Sequence, residues 1–329
     1  MRIRIALLLV ALLAAALAAR LAFAGTSAAP IGTGVVVIDT TLGYQAAQAA
    51  GTGMVLTSNG EILTNNHVIA GSTALTVVVP GTGRRYGATV AGYDVAADVA
   101  VLRLKNASNL KTVSASTAKA ALGQHVRAVG NAGGTGTLTT AAGRITGVGK
   151  TITATDGETS ERLTGLLETD ADVQAGDSGG PLLDTAGRVV GMDTAASRGG
   201  FGYGFDETAA TPDAYAIPIA RALCIADQIS SGKSSAAVHI GGTAFLGVQV
   251  ESLDGNAVIA AVVPGGPAAR AGLARGDAIT AIDGRQVTAA GVRTYLLTKK
   301  PGATVTVSYR DAAGNAGSVH VTLASGPPQ

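Results

Sequence analysis

The stretch TDADVQAGDSGGPL, residues 169–182, sets an acid and a serine, Asp177-Ser178, among three glycines and a proline. Such a run is either a tight structural turn or a nucleophile held beside backbone donors. A serine hydroxyl is unreactive at neutral pH unless a base takes its proton during attack. Attack on a carbonyl creates an oxyanion, which needs preorganised N–H donors converging on one point. Gly176 lets the backbone take the φ that such a turn requires and lets a substrate approach. Gly176, Ser178 and, beside them, Asp177 are the candidate donors, while Gly179 and Gly180 leave room behind the hydroxyl. The second reading depends on whether the rest of the chain supplies a base, an orienting acid and a fold to hold them.

The chain has four histidines, at positions 67, 125, 239 and 320. Any one of them alone is by default structural. His67 differs, because it stands in LTNNHVIAG, where three polar residues follow the second strand of a hairpin over Ser58-Asn59-Gly60. A strand end can project its side chain into a cleft. For the acid, YDVAADVAVLRL offers Asp94 and Asp98. Asp98 immediately precedes the apolar strand Val99–Leu104, which buries its carboxylate where an imidazole can reach it; Asp94 sits in the preceding turn and caps it. In these roles His67 is the base, Asp98 holds its tautomer, and Ser178 is the nucleophile.

The 329 residues are comfortable for two domains, and 47% of them are hydrophobic, enough for sizeable cores. Abundant Gly, with many Thr and Val, favours short strands and tight turns, so the expected class is mainly β. Residues 25–45 read as an irregular N-terminal linker. Short apolar runs punctuated by Gly, Asn or Asp follow at intervals suited to an all-β barrel or sandwich. A helix over about 218–230 closes that region, and 232–242 reads as a second linker. Residues 243–325 then hold strands, a short helix, a hairpin over Asp283-Gly284, and a helix with Val292 and Leu296 on one face.

Residues 1–24 begin with two arginines, run apolar from Ile5 to Ala19, and end in Ala22-Phe23-Ala24. A secretory signal cut after Ala24 is the expectation, with an uncleaved membrane tether through residues 5–19 as the alternative. Either places the protein outside the cytoplasm, secreted or anchored. Removing the leader takes away three arginines and no acid, leaving 21 basic against 22 acidic side chains. No basic run remains to bind nucleic acid. The single cysteine, Cys224, excludes an intramolecular disulfide and reads as a buried structural thiol.

TNNHVIAG, ADVAVLRL and GDSGGPL, in that order, resemble the His, Asp and Ser motifs of trypsin/chymotrypsin-like serine proteases. The surrounding ETDADVQAGDSGGPLLDTAGRVVGMDTA and AYAIPI are most similar to the HtrA (DegP-like) branch. FLGV, residues 245–248, and PGGPAARAGLARGDAITAIDGRQV resemble a PDZ domain. The resemblance covers about residues 50–325 and implies two six-stranded β-barrels over 46–231, with the site between them, then a PDZ module over 243–325. It implies an endopeptidase that cleaves unfolded or exported proteins through an acyl-enzyme, with no metal or organic cofactor. A chaperone or peptide-binding module with a latent protease site is the alternative. Thr194-Ala195 and Ala214-Tyr215-Ala216 match segments lining the substrate cleft. Phe245, Leu246, Gly247 and Val248 match the loop that binds a peptide C-terminal carboxylate, and Val292 and Leu296 would line the pocket for the last side chain.

Several features depart from that pattern. The branch usually has Asn before the nucleophile, where this chain has Asp177. A buried Asp needs a cation or several donors; Arg127, Arg144 or backbone groups alone are the candidates. Asp172 lies six residues before Ser178, where trypsin-like relatives keep the acid that selects Arg or Lys. It is read either as that pocket floor or as a surface turn residue. The stretch 196–215 is long and holds Phe201, Tyr203, Phe205 and Tyr215, read either as a loop that orders on substrate or as a floppy insertion. The N-terminal stretch lacks the aromatic cluster that many relatives use to build trimers, which leaves a homo-oligomer open.

Overall fold

The computed structural model describes residues 30–155, 160–196 and 214–328. The leader, residues 1–24, and the aromatic loop from 197 to 213 lie outside the described residues.

The first barrel is built from β1 (Val35–Leu42), β2 (Ala47–Val55), β3 (Glu61–Thr64), β4 (Ala74–Val79), β5 (Arg84–Asp94) and β6 (Val99–Leu104), with a one-turn helix, α1 (Asn66–Ile69), after β3. The antiparallel order β5-β4-β1-β2-β3-β6 closes because β6 also pairs with β5. Strand period explains why β6 is almost continuously apolar. Its alternate residues Ala100 and Leu102 fill the barrel with Val36, Ile38 and Ile62. Val99 and Val101 face the other way, into a layer shared with Met192 and Ile217 of the second barrel.

That second barrel comprises β7 (His125–Gly130), β8 (Thr139–Thr155), β9 (Ser160–Thr169), β10 (Pro181–Leu183), β11 (Val189–Ala196) and β12 (Ala214–Pro218). It closes in the order β10-β11-β12-β9-β8-β7 around Val126, Ile145, Leu167 and Leu182. Two barrels of six strands are therefore present, as the resemblance implies. Helix α2 (Ile219–Ser230) caps the shared layer through Ile219, Ala222, Ala226 and Ile229.

Three expectations change here. Residues 25–45 are not simply a linker: Val35–Leu42 is a central strand of the first barrel, paired on both sides. The run VVVIDTTL is rich in β-branched residues, so its strand propensity was present in the sequence. The stretch 232–242 is tied down by β13 (Val238–Ile240), which pairs with Gly92, Tyr93 and Asp94 of β5. Cys224 is exposed, not buried. The helical period that buries Ala222 and Ala226 turns the position midway between them toward solvent.

The C-terminal module holds β14 (Thr243–Phe245), β15 (Val248–Leu253), β16 (Asn256–Val262), α3 (Pro267–Arg270), β17 (Ala278–Ile282), β18 (Arg285–Gln286), α4 (Ala289–Leu297), β19 (Thr304–Arg310), β20 (Ala316–Thr322) and β21 (Ala324–Gly326). The sheet order is β15-β16-β17-β19-β20, with β18 on β17 and a separate β14–β21 pair. Asp283 and Gly284 both take positive φ, 50° and 76°, the conformation a two-residue hairpin turn needs. The Thr288 hydroxyl caps α4 by accepting the Gly291 N–H at 3.1 Å. No helix among the described residues is long and apolar enough to cross a membrane.

Because Ile38 is fully buried in β1, Ile38→Ala should destabilise the protein by about 2–5 kcal/mol. Urea unfolding checks this; a free linker residue would give no change.

Candidate active site

The chain leaves β3 at Thr64 and turns at once into α1, which presents His67. The His67 N–H donates to Asp98 Oδ1 at 3.0 Å, and ring Nδ1 bonds Oδ2 at 2.9 Å. One carboxylate thus grips both the backbone and the ring of the same histidine. A carboxylate only accepts, so the proton of that ring bond sits on Nδ1 and Nε2 is left as a base. The Thr194 hydroxyl makes a short bond to the same Oδ2. Asp98 therefore has three donors, and its side chain is only 3% exposed. Its φ is 53°, a left-handed value that Asp tolerates better than most residues. Asn65 Nδ2 holds this turn by donating to the Asp98 carbonyl at 2.9 Å. Asp94, the other candidate acid, instead accepts the Ala97 N–H at 3.0 Å and closes the turn before β6.

Ser178 lies on a turn clamped at the seam of the two barrels. Thr52 of β2 donates its N–H to the Ser178 carbonyl at 2.9 Å and its hydroxyl to the Gly176 carbonyl at 2.7 Å. From β11, the Asp193 carbonyl accepts the Gly179 N–H at 2.8 Å. Gly176 and Gly179 have φ of 98° and 85°. A Cβ on Gly179 would collide with the Thr52 carbonyl, and one on Gly176 with the Asn131 carbonyl. These two positions thus require glycine on both conformational and steric grounds. The Ser178 hydroxyl points toward the Thr194 carbonyl at 3.4 Å. Of the three candidate oxyanion donors, the Asp177 N–H is occupied by the Gln174 carbonyl at 3.0 Å. The N–H groups of Gly176 and Ser178 have no acceptor among the described residues. Two of the three candidate N–H groups, rather than all three, are thus without an internal acceptor among the described residues.

The remaining histidines lie elsewhere. His239 Nε2 bonds the Gly242 carbonyl and its ring tilts over Tyr93, His320 Nδ1 bonds the Thr306 hydroxyl, and His125 is exposed on β7. Thr194 and Ala195 on β11 run beside Ala214, Tyr215 and Ala216 on β12, in the register Asp193↔Ala216 and Ala195↔Tyr215. Thr194, chosen from the sequence as a cleft residue, also supports the acid. Asp172 is exposed, and its carboxylate accepts from Gln174 Nε2 at 3.1 Å.

Asp177 is 4% exposed, and its Oδ2 accepts the Gln174 N–H at 2.9 Å. Among the described residues neither Arg127 nor Arg144 pairs with it, and both arginines are exposed, so the arginine expectation fails and a backbone group serves one of its two oxygens. Burial pushes its carboxyl up to about 6, and the charge of Asp172 adds to that. A second acid, Asp193, is fully buried in β11, and burial with the charge of Asp177 raises it well above the ordinary range. Asp193 did not emerge from the sequence. Its only signal was an acid inside the apolar run VVGMDTA.

In the C-terminal module, the N–H groups of Leu246 and Gly247 have no acceptor among the described residues. Their carbonyls are tied back by Ala268 and Val263 at 2.9 Å each. Phe245 stacks on Tyr44, with ring centroids 5.3 Å apart. Val248 is half-buried, while Val292 and Leu296 are buried in the module's core. No group of three or more His, Cys, Asp or Glu able to hold a metal exists among the described residues.

Thr194→Val keeps the shape but removes a donor from a buried carboxylate, a change worth about 1.5–3 kcal/mol. Steady-state peptide cleavage should show kcat/KM lower by about tenfold or more with KM little changed. An unaltered kcat/KM would mean that the bond to Asp98 is structural only.

Residues 51–192 match the family described as the trypsin-like peptidase domain, and residues 244–321 match the PDZ domain. The chain is 35% identical over 312 residues to the serine protease PepD of Mycobacterium tuberculosis, covering 90% of this chain and 65% of that protein. It is 33% identical over 261 residues to a probable periplasmic DegP-like serine endoprotease of Brucella suis, covering 74% of this chain and 46% of that one. The chain thus spans less than two thirds of either relative. Among solved structures, the HtrA-type protease AlgW with a tripeptide superposes with a TM-score of 0.51 at 26% identity, over 91% of this chain and 96% of that one. Residues 51–192 thus belong to the trypsin-like peptidase family and residues 244–321 to the PDZ family, a domain order in which the chain is similar to the HtrA-type serine proteases.

Proposed function

We propose that this protein is a serine endopeptidase in which Ser178 attacks the peptide carbonyl, His67 is the general base and acid, and Asp98 holds the histidine. The observation that carries this reading is the grip of one buried carboxylate on both the N–H and the ring of His67, beside a turn with two open N–H donors. As the Ser178 hydroxyl attacks, its proton passes to His67 Nε2, and the imidazolium is stabilised by Asp98. The Gly176 and Ser178 N–H groups receive the developing oxyanion. His67 then returns the proton to the leaving amine. Water repeats the same steps on the acyl-enzyme, freeing the acid product and Ser178.

The periplasmic relatives support an extracytoplasmic setting, and the substrates in this reading are unfolded or newly exported proteins. The arginine-flanked apolar stretch from Ile5 to Ala19 supports export or tethering. The open N–H groups of Leu246 and Gly247 suit a peptide C-terminal carboxylate, with the peptide joining the sheet along β15. Val292 and Leu296 are buried on α4, and in this reading they would shape the pocket for the peptide's last side chain.

An organophosphonate that phosphonylates serine nucleophiles should label the wild type and not Ser178→Ala, and Ser178→Ala should lower kcat by roughly a million-fold. An unlabelled wild type, even with a C-terminal peptide present, would favour a peptide-binding module with a latent site. Peptides with a free C-terminus should bind the full chain at least tenfold more tightly than their amidated forms. Equal affinity in calorimetry would remove the carboxylate role of residues 245–248.

A further inference from the structure

Behind the nucleophile turn, the second barrel buries two carboxyl groups for which the reaction has no use. Asp177 is 4% exposed and Asp193 is 0% exposed. Neither oxygen of Asp193 has a partner among the described residues, nor does Oδ1 of Asp177. Their backbones are tied through the turn itself. The Asp193 N–H donates to the Gly180 carbonyl at 2.9 Å, the Asp193 carbonyl accepts from Gly179 at 2.8 Å, and the Asp177 carbonyl accepts from Gly180 at 2.8 Å. Buried acceptors without donors are costly, and two buried carboxyls that feel each other's charge resist ionising together. A protonated carboxyl is itself a donor, so one acid can satisfy the other's oxygen.

We propose that Asp177 and Asp193 share one proton as an acid–carboxylate pair, and that this proton positions the turn carrying the Gly176 and Ser178 N–H groups. The two acids are positioning residues, and the inference rests on Ser178 being the nucleophile. Among the described residues no cation pairs with either acid. From the loop before the turn comes Asp172, whose charge opposes ionisation of Asp177. From β7 comes Gly130, whose missing Cβ makes room for Asp177; a Cβ there would lie 2.5 Å from Oδ1. Next to it Asn131 Nδ2 is a further buried donor without a partner among the described residues. From the first barrel comes the neutral Thr52. On β11 the neighbour is Thr194, beyond which Asp98 is held by His67. Arg127, Arg144 and His125 are exposed on the outer face of the barrel.

Both acids are raised above the ordinary carboxylate range by burial, Asp177 to about 6 and Asp193 well above normal. Groups raised in the folded state stabilise it fully below the unfolded value of about 4 and lose that contribution as pH rises through the raised values. Loss of the shared proton to solvent leaves two like charges in one buried space. Their repulsion acts between the nucleophile turn and β11, which carry the open donors and Thr194.

The test is the pH profile of phosphonate labelling and of kcat/KM in the full chain. The wild type should show a limb falling by about tenfold per pH unit on the alkaline side, as expected for one essential proton. Asp193→Asn keeps a donor but cannot ionise, and should abolish that limb while the acid limb remains. Infrared spectra of the wild type at pH 7 should contain the C=O band of a protonated carboxyl, lost with the midpoint of the alkaline limb. A folded Asp193→Asn protein with an unchanged alkaline limb overturns the proposal, as does absence of the band at pH 7. Should Asp193→Asn fail to fold, the wild-type band and its midpoint decide. A protein that shows the band yet is never labelled keeps the shared proton and loses the enzyme reading instead.

Discussion

A single buried carboxylate, that of Asp98, joins the parts of this site. It receives the backbone and ring of His67 from the first barrel and the hydroxyl of Thr194 from the second. The barrels must therefore pack in one register for the carboxylate to be satisfied. An isolated buried charge would be costly, whereas one with three donors and a strand behind it is stable and stiff. The apolar layer of Val99, Val101, Met192 and Ile217 supplies the packing that holds this register. Site and seam are thus two aspects of one constraint.

The nucleophile turn is held by the same principle applied to the backbone. Thr52 from one barrel and Asp193 from the other leave it little freedom, and the two positive-φ glycines let it pass where a side chain would collide. Preorganised donors cost no reorganisation when charge develops. Here preorganisation has a weakness, because the turn is backed by two carboxyls rather than by neutral amides. Their shared charge makes the scaffold itself sensitive to proton concentration.

The C-terminal module meets the first barrel through small, local contacts: the Phe245–Tyr44 stack, the Tyr93 hydroxyl on the Thr243 hydroxyl at 3.0 Å, and the Pro328 carbonyl accepting the Gly71 N–H at 2.8 Å. Gly71 follows α1, the helix that carries His67. Phe245, at the head of the proposed carboxylate-binding loop, thus touches the first barrel, and the chain's last described residue reaches the segment that follows α1.

Much of this was legible in the sequence because it rests on local chemistry. Strand and hairpin signals, the helix after residue 218 and the order of the His, Asp and Ser motifs all depend on neighbours a few positions away. The choice of Asp98 over Asp94 followed from which one a strand could bury. Local reading failed where the partner is distant. Whether Val35–Leu42 is a strand depends on β2 and β4, and whether residues 238–240 are linker or strand depends on Tyr93. Cys224 required knowing which face of its helix met the core. Thr194 as a support for Asp98, and Asp193 beside Asp177, could not be read at all. Bonds between residues 96 positions apart, and a pair of acids brought together by a closing barrel, exist only when long-range strand pairing sets which side chains share a buried space.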